Sequence, residues 1–407
     1  MKKLLGYSDF RKLLGINFFL TLSIMMQELL VSYEMYKLTK NPLTLGLIGL
    51  SIAIPYIGLS VFGGYLADNK NKKSIIILSM IVLFACGLSF YLLYSEFFQL
   101  SQDKVIKISY LLFGISGLAR GFYQPAISAI RPFLIPRELY SRGSSLNSSS
   151  WQMGTILGSI VSGILYSQFG LDVSLIASTF VITIAIFLAS AIKTSLPILI
   201  SSNDSSGLWK SILEGIHFVL KNKILLYSIS LDLVTVLFAG VVAILPVFAE
   251  DILNVGPTGL GYLRAAPAIG TTLGLFFMSL YSPMNKAWRN MIIAVAGFGI
   301  ATLIFAISKD FYLSLIMLFF TGIFDSISIV IRGSLLQLIP PDHLRGRVQS
   351  VNNIFISSSN ELGAFESGVA AKLMGTIPSV IAGAGLTLVI ITIVYYKTKD
   401  LLNHRFQ

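Results

Sequence analysis

The sequence predicts an all-α integral membrane protein of twelve transmembrane helices, arranged as two pseudo-symmetric six-helix halves. Three observations carry that prediction. Of 407 residues, 55% are hydrophobic and only 12% charged, about half the ~25% charge of an ordinary soluble protein. Uncharged apolar runs recur at 43–66, 74–95, 173–192, 291–307 and 377–396. Each is ~20 residues long, enough at 1.5 Å per residue to cross a ~30 Å hydrocarbon core. The second part of the chain also repeats the first. The ~10-residue alternating segments of a membrane barrel do not occur.

Taken in order, the apolar segments and their breaks place spans at 14–36, 43–66, 74–95, 108–130, 144–166, 172–192, 224–248, 258–280, 290–308, 311–335, 348–371 and 377–396. The first begins like a signal peptide, MKKLLGYSDFRKLLGINFFL, with basic residues before an apolar run. No small-residue cleavage site closes the run, so an uncleaved first span is expected. The hydrophilic stretch 193–223 separates an N-terminal bundle, 1–192, from a C-terminal bundle, 224–407. It opens with the polar tract SSNDSS. Trp209, Ile212, Ile216 and Val219 then recur at helical spacing, predicting an amphipathic helix on the inner membrane surface.

The two bundles read as copies. A shift of 205 positions superposes Pro136, Leu139, Arg142, Asn147, Gly158 and Gly163 on Pro341, Leu344, Arg347, Asn352, Gly363 and Gly368. A shift of 212 superposes Gly49, Pro55 and Gly58 on Gly261, Pro267 and Gly270. Repeated halves with a site at their interface are a transporter architecture.

Placing both termini in the cytoplasm puts 21 Lys and Arg on the inner ends and loops, six on the outer loops and three within spans. The positive-inside rule favours that orientation. It also accounts for the net charge of +11 through anionic lipid headgroups rather than nucleic acid. The lone Cys86 permits no internal disulfide, and His217, His343 and His404 all fall outside the spans. A metal cluster and an intramembrane histidine relay are therefore not expected.

The stretch GGYLADNKNKKSI, 63–75, resembles the signature between the second and third helices of the major facilitator superfamily. Gly64, Asp68, Lys72 and Lys73 match it. Asn69 stands at a basic position, and Asn71 at the turn glycine, where Asn is the next best residue for a left-handed turn. The resemblance extends through 138–166, 245–270 and 340–368 to the branch containing the enterobactin exporter and related secretion or efflux carriers. In the fifth span Gly158 and Gly163 keep the antiporter pattern, while Ser159 and Ser162 replace its proline and first paired glycine. The resemblance implies the major facilitator fold, with spans 1, 4, 7 and 10 lining the central cavity, 2, 5, 8 and 11 beside them, and 3, 6, 9 and 12 facing lipid. It also implies that Gly64, Asp68, Lys72 and Lys73 form a conformational latch, with Asp68 against the start of the eleventh span.

Charge inside a bilayer costs ~2.5–3.5 kcal/mol per residue on insertion scales, so it normally faces a cavity or a partner. Such residues are Glu28, Glu34, Arg120, Asp232, Arg264, Asp325, Arg332, Glu361 and Glu366, none of them in the spans the resemblance turns to lipid. Helical spacing sets Asn353, Ser357, Asn360 and Glu361 on one broad face of the eleventh span. Together with Arg120 and Asp325, which are repeat equivalents, these are the expected cavity residues. Proton coupling is expected from Glu361 first, then Asp232, Asp325 and Glu28.

No GxxxxGK[ST] loop is present, so the chain carries no ATPase of that kind, and no nucleophile–base signature marks an enzyme. The expectation is a monomeric, proton-coupled secondary transporter of the bacterial inner membrane, without cofactor or metal. It would export a small molecule, a siderophore or a hydrophobic drug-like compound. An importer of the same fold and a transporter-like sensor without flux are the alternatives.

Overall fold

The computed structural model describes Leu4 and residues 6–95, 100–194 and 205–402. Helices α1 (Ser8–Thr39), α2 (Pro42–Asn69), α3 (Lys72–Tyr94) and α4 (Gln102–Ile130) come first in the chain. A 51-residue helical run, Tyr140–Ser190, breaks at Gly170, giving α5 before that residue and α6 after it. Helix α7 (Ser205–Lys221) precedes α8 (Lys223–Ala239); after an extended Gly240, tighter and wider helical turns run from Val242 to Ile252. Then come α9 (Gly256–Leu280), α10 (Ala287–Ile307), α11 (Phe311–Leu338), α12 (Asp342–Met374) and α13 (Thr376–Lys397).

Ten of the described helices are long and apolar enough to cross a membrane, and one of them, Arg142–Ser190, contains the Gly170 break and hence two spans. The twelfth is α12, which carries SVNNIFISSSNELGAFESG and is too polar to qualify by composition. This is the all-α, twelve-span fold. Helix is the natural outcome, because a lipid-exposed backbone must satisfy its own N–H and C=O groups.

The chain forms two compact units. One comprises Met1–Lys40, Leu47–Ser201 and Asn254–Ala265; the other comprises Asn41–Gly46, Ser202–Leu253 and Ala266–Gln407. In the first, Phe10, Leu13, Ile16 and Leu20 of α1 pack with Met80 and Leu83 of α3, Ala126 of α4 and Ile182 of α6. In the second, Trp288 is fully buried among Leu225, Ile229, Leu335, Val348 and Ile391, and its indole N–H donates to Thr398 Oγ1 at 2.8 Å.

Asn71 corrects the sequence reading. Its backbone is extended, φ −66° and ψ 107°, not left-handed, and its side chain caps α3 by accepting from Lys73 N and Ser74 N. An N-cap satisfies amides that the helix leaves open. Lys73 reaches the far end of α6, where its Nζ donates to the carbonyls of Ser190 and Ile192, both at 2.7 Å. Lys12 donates to Ala191 O at 2.6 Å, and Asp9 accepts from the amides of Lys193 and Thr194. Two cations thus sit on the open carbonyls of one helix end, where the dipole favours them. Lys72 is buried, with its ammonium over the Phe133 ring.

Helix α7 also differs from expectation. Side chains 205–212, including those of Trp209 and Ile212, lie outside the described residues. Val219 is buried in the second core with Ile216 packed against it, and Gly215 lies against the backbone of Arg347. Glu214 pairs with Arg347. Of the side assigned to the membrane surface, Ile216 and Val219 pack into the second core instead, and among the described side chains of α7 the exposed large apolar ones are Leu213 and Leu220.

The breaks at Gly170 (φ 80°, ψ 179°) and Gly375 (φ 89°, ψ 155°) are separated by the 205 positions of the internal repeat. This backbone region is essentially reserved to glycine. Gly170→Ala and Gly375→Ala should each destabilise the protein by about 1–3 kcal/mol, read as a lowered Tm in detergent. Gly58→Ala, where an added Cβ meets nothing within 4 Å, should leave Tm unchanged.

Candidate functional site

Helices α5 and α9 approach through residues without bulk. A Cβ added to Gly261 would lie 2.6 Å from the Ser159 carbonyl, and one on Gly163 would strike the Pro257 carbonyl. Thr258 Oγ1 donates to Gly163 O at 3.3 Å. Ser159 and Ser162 return their hydroxyls to carbonyls of their own helix, Thr155 O and Ser159 O, both at 2.9 Å. The two serines therefore present a small surface. Small residues are what allow membrane helices to touch backbone to backbone.

That contact carries Arg264, one helical turn beyond Gly261, to α1. Glu28 accepts from Arg264 through Oε2 at 2.8 Å and from Arg120 of α4 through Oε1. One carboxylate thus ties together three helices, each oxygen engaged by a different guanidinium. The three side chains retain 14–16% of their exposure, so the cluster is largely but not wholly enclosed. Higher on α1, Glu34 accepts from Tyr166 and lies 4.0 Å from Lys37. Nearer the start of α1, Asn17 donates to Asn147 at 2.6 Å.

The second unit holds its own pair. Asp232 of α8 and Arg332 of α11 form an ion pair with side-chain exposures of 8% and 6%. Asp325, on the same helix as Arg332, has no hydrogen-bond or ion-pair partner among the described residues. Its neighbour Ser326 donates to its own helix at Ile323 O. On α12, Asn360 is exposed and Glu361 partly buried, and Glu361 does have an interaction partner. The Asn352 Oδ1 atom, the repeat counterpart of the satisfied Asn147, is buried without a hydrogen bond.

Measured against the expected site residues, the structure brings Glu28 and Arg120 together in the first unit. Asp232, Asp325, Asn360 and Glu361 belong to the second. The side chains of Asp68, Asn353 and Ser357 lie outside the described residues; Gly64 lies in α2 with nothing within 4 Å of an added Cβ. Sequence reasoning noted Arg264 and Arg332 as intramembrane charges without giving either a role. An arginine at mid-membrane was the available signal, since such a charge requires a partner.

Comparison with known proteins gives a consistent picture. The model of the Major Facilitator Superfamily matches residues 13–364. The enterobactin exporter EntS of Shigella boydii is 23% identical over 354 residues, covering 84% of this chain and 81% of that protein. The Escherichia coli O1:K1 EntS matches at 23% over 353 residues, with the same coverage. Among solved structures, the nucleoside transporter NupG superposes with a TM-score of 0.73 at 14% identity, covering 98% of this chain and 100% of its own. A bacterial homolog of the human lysosomal transporter Spinster gives a TM-score of 0.74 at 16% identity, covering 97% and 98%.

Removing one partner of a buried ion pair strands the other, at a cost of about 3–5 kcal/mol. Asp232→Asn should therefore lower thermal stability strongly. Adding Arg332→Met to it should restore most of the loss, and unfolding of wild type and the two variants in detergent measures both effects.

Proposed function

The chain belongs to the Major Facilitator Superfamily, and on that footing we propose that it is a secondary active transporter that works by alternating access and couples proton movement to the efflux of a small molecule. The substrate proposed is a siderophore or a hydrophobic drug-like compound. Its relatives' description as enterobactin exporters favours export and the former. The protein would act in the inner membrane as a monomer with both termini in the cytoplasm, in keeping with the distribution of its Lys and Arg. No enzymatic step is part of this reading.

The observation that carries the coupling proposal is the contrast among the carboxylates. Glu28 is tied to two arginines and Asp232 to one. A carboxylate fixed by a guanidinium can take up a proton only as that pair opens. Asp325 sits in a membrane helix with no such partner among the described residues. A proton carrier needs a carboxyl group whose affinity for the proton follows access and burial. Asp325 therefore takes first place, ahead of Glu361, with Asp232 and Glu28 behind them. The latch role of Gly64, Asp68, Lys72 and Lys73 belongs to the same proposal.

In vesicles with an imposed pH gradient, one catecholate siderophore and one lipophilic cation dye serve as probes. Wild type should accumulate one of them against its gradient. Asp325→Asn should reduce this at least tenfold, while Asp68→Asn should slow the initial rate with membrane insertion intact. Unchanged accumulation and pH dependence in both Asp325→Asn and Glu361→Gln would move the proton site to Asp232.

A further inference from the structure

We propose that Arg264 is an anion-recognition residue and that Glu28 occupies, in the ligand-free protein, the place of a ligand carboxylate. The inference names a substrate class for the transporter proposed above and takes its biological meaning from that reading. The ligand class is a small molecule bearing one carboxylate or a carboxylate-like oxyanion.

The argument starts from donor count. A guanidinium offers five N–H donors in a planar fork that matches a carboxylate edge-on, two bonds at a time. Arg264 makes one bond of that kind, from a single terminal nitrogen to Glu28 Oε2 at 2.8 Å. No other partner engages it among the described residues, and none of its nitrogens is sealed from solvent without a hydrogen bond. Its remaining N–H donors are therefore without a partner among the described residues, and the side chain keeps 16% of its exposure.

Glu28 cannot fill that fork. Its other oxygen is committed to Arg120, so the carboxylate bridges two arginines with one contact to each instead of chelating either. A purely structural ion pair would gain more from the two-bond arrangement. The close approach of Gly261 to Ser159 sets where the helix start lies, one turn before Arg264. The arginine is thus placed by backbone packing while its donors remain underused, and a donor set positioned before binding is how a preorganised anion site is built. An incoming carboxylate would take two donors from Arg264 and release Glu28 to Arg120. Two carboxylates would then face two arginines, where the single Glu28 now faces both, and no lone ion would be exposed to the membrane interior.

Detergent-solubilised full-length protein is titrated with sodium benzoate, with benzamide as the neutral isostere and sodium chloride as the ionic-strength control. Binding is read as a saturable rise in Tm. Wild type should respond to benzoate and not to benzamide. Arg264→Gln should lose the response, and Arg264→Lys, which keeps the charge but not the fork, should weaken it at least threefold. Glu28→Gln, which removes the competing carboxylate, should bind benzoate at least threefold more tightly.

Equal responses to benzoate and benzamide in wild type would overturn the proposal without any variant. So would a benzoate response surviving in Arg264→Gln, or weaker binding in Glu28→Gln. Because binding is measured without flux, the two readings fail separately. A benzoate response in a protein that moves no probe in vesicles removes the transporter reading and keeps the site. Flux without the response does the reverse.

Discussion

Every feature of this protein depends on one constraint: a polar group inside a bilayer has no water to turn to. The backbone answers by closing its hydrogen bonds within helices. Hydroxyls answer by folding back onto carbonyls three or four residues earlier, as Thr235 does to Leu231 and Thr387 to Gly383. The charges at mid-membrane find their counter-ions on other helices: Glu28 on Arg120 and Arg264, and Asp232 on Arg332. Those pairs determine which helices stay together. Glu28 draws α1, α4 and α9 to one point, and Asp232 joins α8 to α11.

Bringing guanidinium and carboxylate into contact requires the helices to approach closely, and side-chain size decides whether they can. Where α9 meets α5, both surfaces are reduced to glycine and inward-bonded serine. The replacement of a proline and a glycine by Ser159 and Ser162 keeps this smooth surface and adds two internal hydrogen bonds to α5. A bulkier residue at Gly261 would separate the backbones and carry Arg264 away from Glu28. Packing and electrostatics are therefore one design at this point in the fold.

Most of the architecture was legible in the sequence because it is written locally. Span length, charge depletion and the 205-residue repeat need no knowledge of partners. What depended on a partner was misread or left without a role. Asn71 looked like a turn residue because the superfamily pattern has glycine there, yet its amide oxygen serves the start of α3. Ile216 and Val219 looked lipid-facing because an amphipathic stripe does not say what covers it; α12 and the second core do. Glu28 stood last among the proton candidates because no motif surrounds it, and its two arginines lie 92 and 236 positions away. Long-range pairing of this kind leaves no periodicity to read.

The repeat also shows how one ancestral bundle can acquire two chemistries. The glycine breaks at Gly170 and Gly375 and the asparagines at 147 and 352 keep equivalent positions, so the scaffold has been retained. At the equivalent position in the membrane, however, one copy has Arg120 and the other Asp325. The arginine is bound to a carboxylate of its own unit, whereas the aspartate has no ion-pair partner among the described residues. The arginine of the second unit stands instead at Arg332, two helical turns along α11, bound to Asp232. Each unit thus satisfies its arginine internally, and the duplicated position is left in the second unit as a carboxylic acid. An acid without a fixed counter-ion is the chemical form suited to gaining and losing a proton, while Arg120, held by Glu28, stays a fixed cation. Divergence at one duplicated position, on an otherwise retained frame, is enough to separate those two tasks.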